Sequence, residues 1–317
     1  MADAHKPVMQ REVVVVAGDR IEVVTEALAP LAPDFARVAL HYVGICHSDI
    51  AAIASGELSE ASRLGHEASG IVVESNVPGV AVGARVVAYA DDAYSTYVDV
   101  PAHRVAEIDK NCTLLDAALA EPVACVIGAI EMLELTNCDE IIIVGAGFMG
   151  LLAVRYLALL GHEVTVVEPI VARRERAKEA GAARAFAPDE AASHYSDGLP
   201  VVIEATGGAA GLELASSLVA IGGTLGIMGY HQSAGGRRNV PMERWNYRAM
   251  SVLSLHHRSV TQVMRWIDRA QRSAAQGGIV PSDLVDARIE LADAGSGLKS
   301  QPAAMAPLKA VFRIQGA

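Results

Sequence analysis

Aromatic residues are scarce: Phe, Tyr and Trp make up 4% of the chain. The interior must therefore be built from aliphatic side chains, as in an Ala/Val/Leu-rich α/β protein. No apolar run reaches the roughly 20 residues that a membrane span needs, and the charged N-terminus has no apolar signal segment. The expected setting is soluble and cytoplasmic. The cysteines, Cys46, Cys112, Cys125 and Cys138, are few and scattered without a C-x-x-C. That excludes a disulfide framework and a four-thiolate zinc knuckle. Positive charge is also in deficit, 26 Lys and Arg against 37 Asp and Glu, for a net −11. Such a balance argues against nucleic acid or an anionic membrane as the main partner. Repeats and low-complexity stretches are absent.

What is present is length and apolar content. The 317 residues, 52% hydrophobic, exceed one ordinary core, so two domains are expected. The first 120 residues read as short strands separated by turns, with β-branched or alternating patterns over Val13–Ala17, Ile21–Glu26 and Phe35–Val43. A short helical piece follows Cys46, and further strands are expected over Ile71–Glu74, 83–88 and Tyr97–Val100. Asn76 stands where the chain must turn, and asparagine tolerates positive φ. Asp116 is the expected N-cap of a helix running through Glu121-Pro122 towards Leu133.

From Ile141 the pattern alternates strand and helix, which implies a parallel sheet covered on both faces. Its centre is Ile141-Ile-Ile-Val-Gly145-Ala-Gly147-Phe148-Met149-Gly150. A buried strand runs into a glycine turn, and an apolar helix leaves it. Gly145 allows the turn, Gly147 lets a pyrophosphate approach the backbone, and Gly150 lets the helix lie close to the strand. A second strand, residues 163–167, ends in Glu168, about 20 residues on, where a carboxylate meets the adenine ribose hydroxyls of a dinucleotide. Thr206, Met228 and Gly229 end later strands at the same sheet edge, where backbone groups can hold the nicotinamide. Helices are expected over 173–180, 212–220 and 260–276, with Trp266 and Ile267 on the apolar side of the last. A final strand is expected over 309–314, and the stretch 292–307 reads as irregular and partly mobile.

Three further motifs carry chemistry: Gly44-Ile-Cys46-His47-Ser48-Asp49, Gly65-His66-Glu67-Ala-Ser-Gly70 and Glu121-Pro122. Together with the glycine turn, their order and spacing resemble the medium-chain zinc-dependent alcohol and polyol dehydrogenases, from about Val13 to Ile314. The resemblance implies an α/β chain with a Rossmann doubly wound sheet over 122–256. A GroES-like β-rich catalytic domain would comprise 1–121 and 257–317. One departure is clear. Many relatives carry a four-cysteine lobe for a structural zinc after the strand that here is 85–88, whereas this chain passes from Tyr89 almost directly to Tyr94-Ser-Thr-Tyr97. One catalytic zinc is therefore expected, not two.

That resemblance makes Cys46 the thiolate ligand and His66 the imidazole ligand. A buried thiol and a satisfied core histidine are the bland alternatives, which the complete motifs disfavour. The third ligand is Glu67 or Glu121, with Glu67 preferred and Glu121 at or just outside the ligand shell; Cys125 is a weaker candidate. Zinc would acidify an alcohol, whose hydride passes to the nicotinamide. Ser48 would hand the proton to the cofactor ribose, unless it is only a helix cap, and His47 would pass it on or touch the pyrophosphate. Asp49 would orient His66.

Glu168 would repel a 2′-phosphate, so NAD is favoured, although Arg173 and Arg174 lie close enough in sequence to welcome NADP. The leading expectation is an NAD-dependent dehydrogenase of a secondary alcohol, a polyol, sugar or similar metabolite, forming a homo-oligomer with the dimer favoured. A zinc-free NADPH-dependent quinone or enoyl reductase and a non-catalytic dinucleotide sensor are the alternatives. Trp245-Asn246-Tyr247 and His256-His257 line the substrate side or a subunit contact, or are ordinary surface.

Overall fold

The computed structural model describes residues 9–56, 58, 61–135, 138–300 and 307–315. The first strands are β1 (Gln10–Ala17), β2 (Arg20–Ala27), β3 (Phe35–Gly44), β4 (Glu67–Ser75), β5 (Arg85–Ala88), β6 (Tyr97–Pro101) and β7 (Val105–Glu107). They are followed by β8 (Glu140–Val144), β9 (Glu163–Val167), β10 (Arg184–Phe186), β11 (Leu199–Glu204), β12 (Val219–Ile227) and β13 (Ser251–Ser254). Two short strands, β14 (Ala287–Glu290) and β15 (Ala310–Arg313), close the series. The chain divides into two compact units, Met1–Glu121 with Ile267–Ala317, and Pro122–Trp266.

In the first unit β1 and β2 form an antiparallel hairpin, and a seven-stranded sheet runs β14-β15-β3-β4-β5-β7, with β6 added on β3. Alternating apolar residues of these strands, among them Val38, Leu40, Val72, Val86 and Val98, meet Tyr94 and Phe312 in one core. Residues 89–96 link β5 directly to β6. Along β3, Gly44 lies opposite Glu67 of β4 on one side and opposite Val311 of β15 on the other. β15 is thereby laid beside β3, one strand away from the β4 strand that follows His66.

Two local expectations are corrected here. Thr113, not Asp116, caps the helix Leu114–Ala118: its hydroxyl accepts from the Asp116 N–H, and the Asp116 carboxylate instead accepts from Ser282 N–H. Asn76 is not among the positive-φ residues. Its amide donates to the carbonyls of Leu31 and Ala32, both at 3.0 Å, so it serves the turn through hydrogen bonds.

The second unit is a six-stranded parallel sheet in the order β10-β9-β8-β11-β12-β13. The central β8 is fully buried from Ile141 to Val144, as a strand covered on both faces must be. The chain order reverses between β8 and β11, the switch point where open α/β sheets bind ligands beyond their carboxyl ends. The helix expected to reach residue 220 stops at Ser217, because β-branched Val219 already pairs with Leu199. The β10 strand and the helix Pro188–His194 were too short to leave a period in the sequence.

Trp266 and Ile267 are buried, as their helical phase implied, and Trp266 Nε1 donates to Glu131 at 2.8 Å. The stretch 292–307 contains a helix, Ala294–Ser300; residues 301–306 of it lie outside the described residues. Among the described residues no helix is long and apolar enough to cross a membrane.

Candidate functional site

In the first unit the strand β3 ends at Gly44, and Cys46 precedes the helix His47–Ser55. Gly44 is glycine for want of space: a Cβ there would stand 2.0 Å from Glu67 Oε2. Its absence lets the Glu67 carboxylate, 1% exposed, reach across the sheet. Ligand atoms of Cys46, His66 and Glu67 consequently lie within 4.8 Å of one another. One thiolate, one imidazole and one carboxylate is a donor set suited to zinc.

Surrounding groups fit the same purpose. Ser48 Oγ donates to Cys46 Sγ at 3.1 Å, and no side chain caps the helix, so Ser48 is turned towards the thiolate. Asp49 is buried and accepts from Tyr94 Oη at 2.7 Å, while its other oxygen lies 3.8 Å from His66 Nδ1. Burial raises the Asp49 carboxyl above its usual range. Burial alone would lower His66, but the hydrogen bond to Cys46 and the charges of Glu121, Cys46 and Asp49 prevail, raising it to about 10. This is a pocket that asks for a cation. Glu121, buried in the first turn of the helix Ala120–Glu131, acts on His66 through its charge and is not one of the three clustered donors. His47 is exposed, and Cys125 belongs to the second unit.

One participant had no sequence signal beyond a lysine heading an apolar strand. Lys309, 4% exposed, donates to Glu67 Oε1 at 2.8 Å and to the Ile45 carbonyl at 3.1 Å. Its Nζ also pairs with Glu67 Oε2 at 2.6 Å, so the ammonium spans both carboxylate oxygens. A buried carboxylate brought beside a cysteine sulfur and an imidazole is the observation that fits the residues to a metal.

The second unit carries the glycine turn. Gly145 has φ +107°, and a Cβ there would meet Thr206 at 2.7 Å. A Cβ on Gly150 would sit 2.1 Å from the Gly145 carbonyl oxygen, so the helix Phe148–Leu159 approaches the turn only because the side chain is missing. Gly147 is the N-cap and has open space where a Cβ would be. Uncapped helix N–H groups facing open space are suited to phosphate. Phe148 is buried and Met149 half-buried, so Phe148 can offer a ligand only its backbone.

Glu168 is 4% exposed and held by two backbone donors, Ala146 N–H on Oε2 at 2.9 Å and Ile170 N–H on Oε1 at 3.0 Å. The carboxylate is thus fixed beside the turn. Arg174 donates to the Glu168 and Pro169 carbonyls, whereas Arg173 is half-buried on the same helix. Thr206 is exposed, and Met228 and Gly229 are buried, with both of their N–H groups donating to the Glu204 carbonyl. Glu204, His231 and Arg238, for which sequence reading found no role, are joined in one network, described below.

Two family models match the chain: an alcohol dehydrogenase GroES-like domain over residues 32–110 and a zinc-binding dehydrogenase domain over residues 149–270. The chain thus carries both domains of the zinc-binding alcohol dehydrogenases. Its Rossmann-like parallel sheet and GroES-like β-rich domain are those of the family.

It is similar to an uncharacterized zinc-type alcohol dehydrogenase-like protein of Haemophilus influenzae, 28% identical over 52% of this chain and 57% of that one. The match thus spans little more than half of that relative's length. It is also similar to the 2-dehydro-3-deoxy-L-galactonate 5-dehydrogenase of Pseudoalteromonas atlantica, 25% identical over 66% of this chain and 72% of that one. Among solved structures, a zinc-binding dehydrogenase from Sinorhizobium meliloti bound to NADP superposes with a TM-score of 0.84. The two are 24% identical over 96% of this chain and 99% of that chain, a likeness of fold.

Proposed function

We propose that this dehydrogenase uses one zinc ion to move a hydride between a secondary alcohol, of the polyol, sugar or sugar-acid kind, and NAD(H). The single observation that carries the reading is the convergence of Cys46, His66 and Glu67, whose ligand atoms lie within 4.8 Å. In this reading Met1–Glu121 with Ile267–Ala317 holds the metal and Pro122–Trp266 the dinucleotide.

Cys46, His66 and Glu67 hold the ion, which when bound supplies the Lewis acidity that makes an alcohol hydroxyl ionisable near neutral pH. Glu121 adds negative charge beside His66, and the Tyr94–Asp49 pair fixes the imidazole from behind. Ser48 is the group that takes up the substrate proton, its hydroxyl able to accept while it donates, and the exposed His47 passes that proton outward. Glu168 receives the adenine ribose hydroxyls, while the turn at Gly145–Gly150 receives the pyrophosphate. The preference for NAD rests on the carboxylate, whose charge opposes a 2′-phosphate; Arg173 is the residue through which NADP would be accepted instead.

Zinc analysis of freshly purified protein, with polyols, sugars and sugar acids screened for NADH production with and without chelator, tests the proposal. Chelator-sensitive NADH formation with about one zinc per chain is the expected result. Turnover with NADPH and no metal would favour a zinc-free reductase instead. Bound zinc and dinucleotide without any turnover would point to a sensor. A cytoplasmic homodimer is part of the proposal, and light scattering checks the dimer.

A further inference from the structure

Beyond the carboxyl ends of β11 and β12 the two connecting segments touch backbone to backbone. A Cβ on Gly229 would lie 2.2 Å from Gly207 N and 2.5 Å from Glu204 Oε2. Between them sits Glu204, 0% exposed. Its Oε1 accepts from Thr206 N–H, Thr206 Oγ1–H and Gly207 N–H, and its Oε2 lies 3.0 Å from His231 Nε2. Arg238 completes the ring: Nε donates to His231 Nδ1 at 2.9 Å, and Nη2 donates to the Gly207 carbonyl at 3.1 Å. The same guanidinium also reaches the Ser233 carbonyl, the Ser233 hydroxyl and the Arg237 carbonyl.

The proton on His231 is determined by this arrangement. Arginine offers only donors, so Nδ1 must present its lone pair, and Nε2 must carry the hydrogen that goes to Glu204. The imidazole is neutral and of one tautomer. Reaching it requires the chain to double back, and Ala234, Gly235 and Gly236 do so at φ +53°, +61° and +73°.

We propose that Arg238 and His231 are positioning residues that lock the segment after β12 onto the turn after β11 through Glu204. They thereby hold Thr206–Gly208 and Met228–Gly229 ready for the dinucleotide. The proposal rests on the dinucleotide role assigned above to these backbone stretches. Preformed backbone avoids an ordering cost on binding, so loss of the lock falls on affinity before it falls on turnover.

The test uses the full chain, zinc-loaded. Nitrogen-15 spectra of histidine-labelled protein should show His231 bare at Nδ1 and protonated at Nε2, and Arg238→Met should abolish that signature. NADH titration should give a dissociation constant raised about tenfold in both Arg238→Met and His231→Phe, with KM for the dinucleotide rising more than kcat falls. His231→Gln, whose amide carries an acceptor oxygen for Arg238 and an NH₂ donor for Glu204, should restore most of the affinity. Unchanged NADH affinity in Arg238→Met would overturn the proposal, and so would lost affinity that His231→Gln fails to rescue, since that marks a merely structural role. Wild-type protein that binds neither NADH nor NADPH would overturn the functional reading itself, and with it the purpose of the lock. That failure is recognised because it precedes any substitution.

Discussion

Lys309 and Glu67 form a buried ion pair, 2.6 Å between Nζ and Oε2, that ties the last strand to the strand following His66. The ammonium compensates the charge of the buried carboxylate. Breaking such a pair leaves an uncompensated buried carboxylate, which costs about 3–5 kcal/mol. Lys309→Met is therefore expected to destabilise the metal-free protein by that order. Zinc should then raise the melting temperature of the variant more than that of wild type, because only the ion remains to balance Glu67. Thermal melts with and without chelator check this; equal zinc-induced shifts would count against it.

Cys46→Ser removes the one soft ligand of the cluster. Zinc content and turnover should fall together, by at least about a hundredfold in turnover, while NADH affinity stays near that of wild type, because the glycine turn and Glu168 belong to the second unit. Metal analysis beside fluorescence titration separates the two. Retained turnover would show that the hydride chemistry does not depend on this sulfur.

Replacing Glu168 by Ala removes the fixed carboxylate without touching the turn. The expected result is a loss of NAD affinity of about tenfold with little loss for NADP, so that the ratio narrows. An unchanged ratio would place the ribose elsewhere.

Glu140, the first residue of β8, offers a pH-dependent stability. Burial pushes its carboxyl upward, but the hydroxyls of Tyr195 and Thr165 and the Arg184 guanidinium outweigh that and hold it below its usual range. A depressed folded value stabilises the protein above the unfolded carboxyl pKa of about 4.3. That contribution fades as pH falls through the lower folded value. Glu140→Gln should cost about 1–3 kcal/mol at pH 7, and the gap to wild type should close below about pH 4. Urea unfolding at several pH values measures it.

Sequence periodicity revealed those parts of the molecule whose residues act on their neighbours in the chain. The β8 turn with Gly145, Gly147 and Gly150 is local, and the strand and helix stand where its pattern implied; the motifs around Cys46 and His66 are local too, and the structure brings Cys46, His66 and Glu67 within 4.8 Å of one another. Contacts between distant segments left no such trace. Lys309 meets Glu67 from 242 positions away, and Trp266 bonds Glu131 across 135. His231 and Arg238 gain their partners only when β11 and β12 lie side by side. The misread helix cap had a related cause: Thr113 and Asp116 are both good caps, but Asp116 lies inside the helix, its carboxylate accepting from the Thr113 hydroxyl and from Ser282 N–H, 166 positions away. Domain limits behaved similarly, since the second crossing falls inside the continuous helix Val260–Ala275, where no punctuation exists to read.

Of the three glycines in the turn, two are demanded by folding and one is not. Residue 147 has φ −75°, which any amino acid adopts, and an added methyl there would touch nothing within 4 Å. The polypeptide alone gives no reason for leaving that spot bare; the proposed function supplies one, a visitor. An alanine at 147 would therefore make a protein as well built as the original yet closed to its guest, separating architecture from occupancy by a single carbon.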